Sequence, residues 1–355
     1  MRVLVAMSGG VDSSVAAALL VGQGHEVVGA TLKLWGGESD SGCCSVADVE
    51  DARRVAQQLG IDHHVFNLTE DFDRHVVTPY VGEHAVGRTP NPCIECNRTM
   101  KFDRLLHRSE RLGFDRLATG HHARVAQIPG GPHSLRRGVD DAKDQSYVLS
   151  MLGQSELARV FFPVGEITKN EVRAHARRLG LRTATKPDSQ DVCFIGSAEG
   201  RQGFLAGRLD LHAGDVVDAA GNPAGTVEAV ELVTVGQRRG MGHGGDGKRR
   251  YVTHVDVTAR RVTVGGADAV ARSSVFLPGD SVTWVDGSLT GAAVRAVAQV
   301  SAHGRPIPCT VDADDERGGL AIRFETAQRP VAPGQTVALY DADDPDAVIG
   351  AGVAA

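Results

Sequence analysis

Two cysteines stand three positions apart in the stretch RTPNPCIECN, where Cys93 and Cys96 follow two prolines and an asparagine. A third cysteine, Cys193, lies far along the chain in DSQDVCFIG. Thiols in such polar segments act as nucleophiles, hold metals or form disulfides, and a nucleophilic thiol needs a helix N-terminus or a nearby base to ionise. A helix is predicted to begin near Arg98, so the position of Cys96 just before it favours a lowered pKa.

A second candidate site is the loop SGGVDS at residues 8–13, which follows a predicted strand and opens a predicted helix. Gly9 and Gly10 let the backbone approach a ligand without a Cβ clash, and the first helical turn directs its N–H groups to the same place. Flanking serine hydroxyls add donors, so the loop is predicted to cradle an anion. Asp12 would repel bound phosphate unless Mg²⁺ bridged the two, so it is predicted to hold Mg²⁺. The loop fits neither the Gly-Lys-Ser/Thr phosphate loop nor the Gly-x-Gly-x-x-Gly dinucleotide pattern.

The elements around these residues alternate between strand and helix in the first half of the chain. Strands are predicted at 3–7, 26–35, 63–68 and 114–123, and helices at 47–60, 71–86, 99–112, 145–152 and 168–180. This alternation predicts an α/β fold, a parallel sheet with helices on both faces. Beyond residue 203 glycine becomes frequent and short Val/Thr-rich runs alternate with turns, which predicts β structure. We therefore expect an α/β domain over 1–202, a small β-rich domain over 203–272 and a C-terminal β-barrel over 273–355.

The bulk properties narrow the function classes. The chain has 355 residues, 42% hydrophobic, with a net charge of −6, so any nucleic-acid contact must come from local basic patches. No run approaches the roughly 18 apolar residues of a membrane span, so no membrane role is expected. Six cysteines are sparse, which favours a cytoplasmic protein in a reducing compartment and a catalytic, redox or metal-binding Cys-x-x-Cys.

The loop SGGVDS resembles the pyrophosphate loop (PP-loop) of the N-type ATP pyrophosphatases, which cleave ATP to AMP and pyrophosphate and attach AMP to a substrate oxygen. Further motifs narrow the resemblance: RTPNPxxxCN followed by KF, ATGHH, KDQSYVL, FPVGEITKNEVR, DSQDVCFIG and TVGQRRGMG. Together, in this order and spacing and over roughly the whole chain, they resemble the tRNA-specific 2-thiouridylases.

That resemblance implies ATP-dependent replacement of the 2-oxo group of the wobble uridine, position 34 of tRNA, by sulfur. The implied partners are tRNA and a sulfur donor protein, a cysteine desulfurase or a sulfur-relay protein. Cys193 would carry the sulfur as a persulfide, and Cys96 would be the nucleophile that releases sulfide or closes a Cys96–Cys193 disulfide. The implied ATP contacts are Ala6, Met7, Ser8, Gly9, Gly10, Val11, Asp12, Ser13, Leu32 and Gly120. Asn91, Pro92 and Cys93 would surround the target base, and Lys143, Asp144 and Gln145 would touch tRNA.

The chain departs from the family pattern in three places. Cys93 stands where many relatives have an aspartate that is a candidate proton-transfer group. Leu32 stands where methionine is common, a conservative change at an adenine contact. Ser301 and Ala302 stand where relatives often have an Arg-Tyr pair for tRNA, so that contact is expected to be lost or moved.

Several alternatives remain open from the sequence. Cys93 and Cys96 would supply half of a zinc site, but the chain has no second Cys-x-x-Cys, only scattered histidines such as His84, His121 and His122. With Cys193 they number three, enough for an iron–sulfur cluster that carries sulfide on an open iron. An amidating ATP pyrophosphatase would use an amine in place of sulfur, and an RNA-binding protein without catalysis would leave SGGVDS unexplained.

The remaining cysteines and the basic residues have simpler interpretations. Cys43, Cys44 and Cys309 are expected to be loop or packing residues. Five basic residues spaced three or four apart would share one face of an α-helix and could contact RNA phosphates. They are Arg98, Lys101, Arg104, Arg108 and Arg111.

Overall fold

The structure is a computed structural model that describes residues 1–35, 45–127, 130–188, 192–196, 199–243, 247, 249–285 and 293–355. Cys43 and Cys44 lie outside the described residues. The strands in chain order are β1 Arg2–Ala6, β2 Glu26–Lys33, β3 Asp62–Asn67, β4 Arg116–Thr119, β5 Ala123–Gln127, β6 His133–Arg137, β7 Val160–Phe161, β8 Gly214–Asp218, β9 Pro223–Val227, β10 Tyr251–Asp256, β11 Arg261–Gly265, β12 Arg272–Pro278, β13 Thr283–Trp284, β14 Val294–Gln299, β15 Ile307–Asp314, β16 Gly319–Gln328, β17 Thr336–Asp341 and β18 Ala347–Val353.

The helices fall mainly in the first 206 residues. Single α-helices cover Val11–Gly22, Val46–Leu59, Ser146–Leu149, Gln154–Leu157, Lys169–Arg178, Gly200–Ala206 and Ala267–Val270. Two longer helices are composite: Thr69–Phe72, the π-helical Asp73–Val77 and Thr78–Ala85 form one, and Pro92–Glu95, the π-helical Cys96–Leu105 and Leu106–Arg111 form the other. Short 3₁₀ turns lie at Arg182–Thr185, Val230–Leu232 and Gly279–Ser281.

The first sheet is parallel and has the order β3-β2-β1-β4-β7, which confirms the α/β prediction. Its central strand β1 is fully buried at Val3, Leu4 and Val5 because helices cover both faces. The chain leaves β1 towards β2 on one side and returns to β4 on the other. The loops after β1 and β4 therefore meet at a topological switch point, where ligands bind in folds of this kind.

Helix ends follow the sequence signals closely. Thr168 and Glu171 have the residue types and spacing of a capping box, and Thr168 caps the helix Lys169–Arg178 in this way. Gly60 ends the helix Val46–Leu59 in the left-handed conformation, with φ of +69°.

The composite helix after RTPN differs from the prediction. It begins at Pro92, where the Asn91 side chain accepts hydrogen bonds from the first-turn backbone, so Cys96 lies inside the helix rather than before it. Because a π-helix bonds residue i to i+5, residues three apart, as Arg98, Lys101 and Arg104 are, do not stay on one face. The single basic stripe expected from α-helical spacing is therefore not formed: Arg108 lies over the Phe66 ring at 4.5 Å, whereas Lys101 lines a pocket.

Two further sheets follow. Strands β10-β11-β8-β9 form the middle sheet, and β12-β16-β15-β14-β17-β18 form an antiparallel sheet at the C-terminus. The first and last strands of the latter approach each other, because Ala355 N–H donates to the Phe276 carbonyl at 3.2 Å and Ser281 bonds to Val353. This arrangement is the predicted C-terminal barrel.

The C-terminal barrel also receives the hairpin β5–β6 from the first half of the chain, through pairing of β6 with β18. The sequence analysis did not predict this hairpin. Leu135 of the hairpin belongs to the same buried cluster as Phe72 of the α/β region and Tyr340 of the barrel. The barrel is thus packed continuously onto the part of the chain that carries the candidate site. Within the described ranges, no helix combines the length and apolar character needed to cross a membrane.

Candidate functional site

One pocket of about 370 Å³ brings the two candidate sites together. The PP-loop lines one part of it, and Cys93, Cys96 and Cys193 line another. Other walls include residues 119–122, residues 142–145 and Ala302 and His303 of the barrel. Nucleotide chemistry and thiol chemistry can therefore take place in the same space.

The PP-loop joins β1 to the helix Val11–Gly22. No side chain caps this helix at Gly10, so its first-turn N–H groups are available to an anion. The hydroxyls of Ser13 and Ser14 donate to the Gly10 carbonyl at 3.2 and 2.7 Å, and Ser8 N–H donates to Ser13 Oγ at 3.2 Å. The serine hydroxyls thus shape the loop itself, and the backbone supplies the anion donors.

Two glycines are required by close backbone packing around this loop. Gly9 has φ of +73°, and a Cβ there would lie 2.2 Å from the Asp48 carbonyl oxygen. A Cβ on Gly120 would lie 2.5 Å from the Ser13 nitrogen. The turn after β4 therefore rests directly on the N-terminus of the helix that follows β1, which explains why Gly120 belongs to the site.

Asp12 already has partners of positive or hydrogen-bonding character. Lys169 Nζ lies 2.8 and 2.7 Å from its two oxygens, and His122 Nε2 lies 3.1 Å from Oδ1. Burial opposes ionisation of Asp12, but the bonds from His122 and Lys169 outweigh it and hold the pKa of the carboxyl below its ordinary value. Lys169 also contacts Asp188 at 2.9 Å, so one ammonium joins the PP-loop to the segment that leads to Cys193.

The Cys96 thiol is not activated in the way the sequence suggested. Burial is the main cause that raises the pKa of Cys96 to about 12; the Lys101 ammonium opposes this rise, and the thiols of Cys193 and Cys93 contribute to it. The expectation of a lowered pKa is therefore wrong, because the helix begins four residues earlier and its N-terminus lies at Pro92 rather than at Cys96. Cys193, although distant in sequence, lines the same pocket as Cys96.

The Lys101 ammonium lowers the pKa of Cys96 and so opposes the effect of burial. The two lie five positions apart, which is the hydrogen-bonding interval of the π-helix that contains them. Burial lowers the pKa of His121 well below its ordinary value, so its ring is neutral and accepts from Lys101 Nζ at 3.4 Å. The proton then resides on Nδ1 and is donated to Thr119 Oγ1 at 2.6 Å.

Cys93 lies in the first turn of the helix and contacts the segment that carries Cys193. Val192 N–H donates to Cys93 Sγ at 3.4 Å, and Val192 has φ of +53°, a left-handed backbone that β-branched residues rarely adopt. Among the described residues, no three His, Cys, Asp or Glu side chains are arranged to hold a metal ion. The three thiols share a pocket, but in this arrangement they do not fit a metal cluster.

The residues expected near the target base and tRNA are placed as follows. The Asn91 side chain caps the helix, Pro92 is buried, and Cys93 lines the pocket.

The residues expected to touch tRNA make contacts within the chain. Lys143 pairs with Asp188 at 2.8 Å. Gln145 accepts from His122 N–H at 2.9 Å through its side chain. Asp144 is only 9% exposed and accepts from Arg137 and Ser146, so its carboxylate holds its own loop in place.

Sequence reasoning missed Lys169, His122, Lys101 and His303 as pocket residues. His122 and Lys169 follow strands β4 and β7, whose carboxyl ends lie beside the PP-loop. The strand order therefore predicts that both residues lie near the pocket. Lys101 was assigned to an outer stripe because the π-helix has no sequence signal. His303 reaches the pocket only through the packing of the barrel.

Comparison with protein families gives three consecutive matches. Residues 1–197 match the tRNA methyl transferase HUP domain, residues 202–266 the tRNA methyl transferase PRC-barrel domain, and residues 276–354 the aminomethyltransferase beta-barrel domain.

Curated relatives match almost the full chain. The tRNA-specific 2-thiouridylase MnmA of Roseiflexus sp. (strain RS-1) is 44% identical over 96% of each chain. The protein of that name from Mycobacteroides abscessus is 44% identical over 99% of each chain. Among solved structures, the U34-tRNA thiolase NcsA from Methanococcus maripaludis is 19% identical with a TM-score of 0.36, covering 58% of this chain and 63% of its own. The curated relatives are close enough to decide membership: the chain belongs to the tRNA-specific 2-thiouridylase family.

Proposed function

We propose that the chain catalyses ATP-dependent 2-thiolation of uridine 34 in tRNA, with AMP and pyrophosphate as products. The observation that carries this proposal is the shared pocket, in which a PP-loop and three cysteines face the same space. Membership of the 2-thiouridylase family supports the substrate.

The nucleotide half of the pocket activates the uridine. The uridine 2-oxygen attacks the α-phosphorus of ATP, the bond to pyrophosphate breaks, and the oxygen becomes an adenylate leaving group. The first-turn N–H groups of the helix Val11–Gly22 stabilise the charge that develops on departing pyrophosphate. Met7 and Leu32 are buried beside the loop and give the adenine an apolar wall.

The thiol half supplies the sulfur. The terminal sulfur of a persulfide on Cys193 attacks C2 of the adenylated uridine and displaces AMP. The Cys96 thiolate then attacks Cys193 Sγ, the persulfide S–S bond breaks with its electrons going to the new thiocarbonyl, and a Cys96–Cys193 disulfide remains. Alternatively, Cys96 attacks first and sulfide is the nucleophile, but the same disulfide results. An external dithiol reduces that disulfide before the next turnover.

The proposal includes Mg²⁺ and leaves out an iron–sulfur cluster. Mg²⁺ is usually held by one or two carboxylates together with substrate phosphates, and Asp12 is the carboxylate that lies beside the cradle. It would have to exchange its contact with Lys169 for the ion. The iron–sulfur alternative would need Cys93, Cys96 and Cys193 to converge, so we route no step through a cluster.

The sulfur donor is proposed to be a cysteine desulfurase or a sulfur-relay protein, since either transfers a persulfide to a thiol. Such a transfer requires access to Cys193, which lies at the surface of the pocket and is partly exposed.

The test is reconstitution with the purified chain, ATP, a tRNA transcript with uridine at position 34 and a persulfide donor. Nucleoside analysis should detect 2-thiouridine at that position, with one AMP and one pyrophosphate released per sulfur transferred. Release of AMP that depends on ammonia or an amino acid, with no 2-thiouridine, would favour an amidating enzyme and overturn the proposal.

A further inference from the structure

The C-terminal barrel contributes to the pocket directly. Ala302 and His303 of the loop between β14 and β15 line it, together with residues that come from the α/β region. Ser301 and Ala302 replace the Arg-Tyr pair expected to contact tRNA, so the adjacent His303 is the larger side chain that this loop offers to the pocket.

His303 is unusual among the rings around the pocket. In the described part of the chain, the other aromatic and histidine side chains that line the pocket are buried, with at most 7% of their surface exposed, whereas His303 is exposed. The buried ones are Phe72, His121, His122, Tyr147 and Phe194. A uridine that enters the pocket must first leave its stack in the anticodon loop, and unstacked bases are commonly received by aromatic or histidine rings. His303 is an exposed ring of this kind in the lining of the pocket.

A buried chain of hydrogen bonds holds the His303 loop in place. The side chain of Gln299, only 3% exposed, donates to the carbonyls of Ser301 and Ala302 at 3.0 and 3.1 Å. Its oxygen accepts from Arg137 Nη2 at 2.8 Å. Gln299 therefore fixes the loop at the start of its turn, immediately before His303.

The same chain of bonds continues into the α/β region. Arg137 donates through Nη1 to Asp144 at 2.7 Å, and its guanidinium lies 3.8 Å from the centre of the Tyr340 ring. Asp144 in turn accepts from Ser146 and from Gly138 N–H. The loop that carries Lys143 and the loop that carries His303 are thus set relative to each other by one buried network.

We propose that His303 is a substrate-contacting residue, which stacks on an unstacked RNA base at the entrance of the pocket, and that Gln299 is the positioning residue that holds it there. The inference rests on the proposed function, because it takes tRNA as the substrate. It gives the barrel a direct part in reading the substrate and gives Asp144 a role through Arg137 and Gln299.

The experiment measures the Kd of the full chain for a tRNA transcript with uridine at position 34, by fluorescence anisotropy, together with KM and kcat for thiolation. His303→Ala should raise Kd and KM for tRNA about tenfold, since stacking on a single base contributes roughly that much, and leave the Kd for ATP unchanged. His303→Phe should remain within about threefold of the wild type because it keeps a ring. A Kd for His303→Ala within twofold of the wild type, or an equal loss in both variants, would overturn the stacking role.

Gln299→Glu tests the positioning role. Glutamate keeps the acceptor for Arg137 but cannot donate to the two loop carbonyls, so it should weaken tRNA binding in the same direction as His303→Ala. In the double variant the two losses should not add, because Gln299 acts through His303. Additive losses, or a loss of ATP binding with Gln299→Glu, would overturn it.

Failure of the proposed function would look different. A wild-type chain that binds the transcript but forms no 2-thiouridine would overturn the thiolation proposal, whereas the binding measurements would still decide the role of His303.

Discussion

The two halves of the pocket are built in opposite ways. The PP-loop is one continuous stretch whose serines, glycines and helix N-terminus make the cradle from local contacts. The thiol half is assembled from a composite helix and a distant segment, and its key contact joins Val192 to Cys93. The comparison teaches that the anion site is specified by local backbone geometry, whereas the reactivity of the thiols depends on what the fold packs around them.

The largest effect is expected from removing a thiol that forms bonds to sulfur. Cys193→Ser should abolish 2-thiouridine formation, below a thousandth of the wild-type rate, because an alcohol cannot carry a persulfide. Adenylation, followed as AMP bound to tRNA, should continue. Cys309→Ser is the matched control, since Cys309 is buried in the barrel core away from the pocket. Thiolation that persists in Cys193→Ser would refute the role of Cys193 as the persulfide carrier.

The next largest effect is expected in the PP-loop. Gly9→Ala should weaken ATP binding about a hundredfold, because a left-handed φ costs ~1–3 kcal/mol for a non-glycine residue and the new methyl meets the Asp48 carbonyl. Gly22→Ala provides the control, since nothing lies within 4 Å of that position. Isothermal titration with ATP measures both variants, and equal affinities would show that the loop does not depend on this backbone conformation.

A smaller effect is expected from the raised pKa of Cys96: the rate of sulfur transfer should change about tenfold for each pH unit. Because its pKa is raised to about 12, the thiolate fraction rises tenfold per pH unit well below that value. Single-turnover sulfur transfer should therefore accelerate between pH 7 and 9 without a plateau.

Lys101→Met should slow the same step about tenfold, since the cation that lowers the pKa is lost, whereas Lys101→Arg should restore most of the rate. A plateau near neutral pH, or a rate for Lys101→Met equal to that of the wild type, would show that Cys96 ionises by another route.

The smallest effect is expected at Cys93. Cys93→Ser keeps an acceptor for Val192 N–H and leaves Cys96 and Cys193 intact, so thiolation should stay within about threefold of the wild type. Loss of activity in Cys93→Ser, together with iron in the active wild-type chain, would instead assign the three cysteines to a cluster.

The sequence alone determined the features that depend on neighbouring residues. The pattern of strands and helices, the capping box at Thr168 and the PP-loop could be predicted because caps, turns and hydrophobic periods act over a few residues. The family resemblance, carried by motifs spread along the chain, was confirmed by relatives 44% identical over nearly its full length.

Only the tertiary structure decided the rest. It paired Asp12 with Lys169, raised the pKa of Cys96 through burial, and moved Asp144 into a buried network. It also brought His303 to the pocket by adding the hairpin β5–β6 to the C-terminal barrel. Burial and long-range pairing depend on which distant segments pack together, and no local pattern in the sequence carries that information.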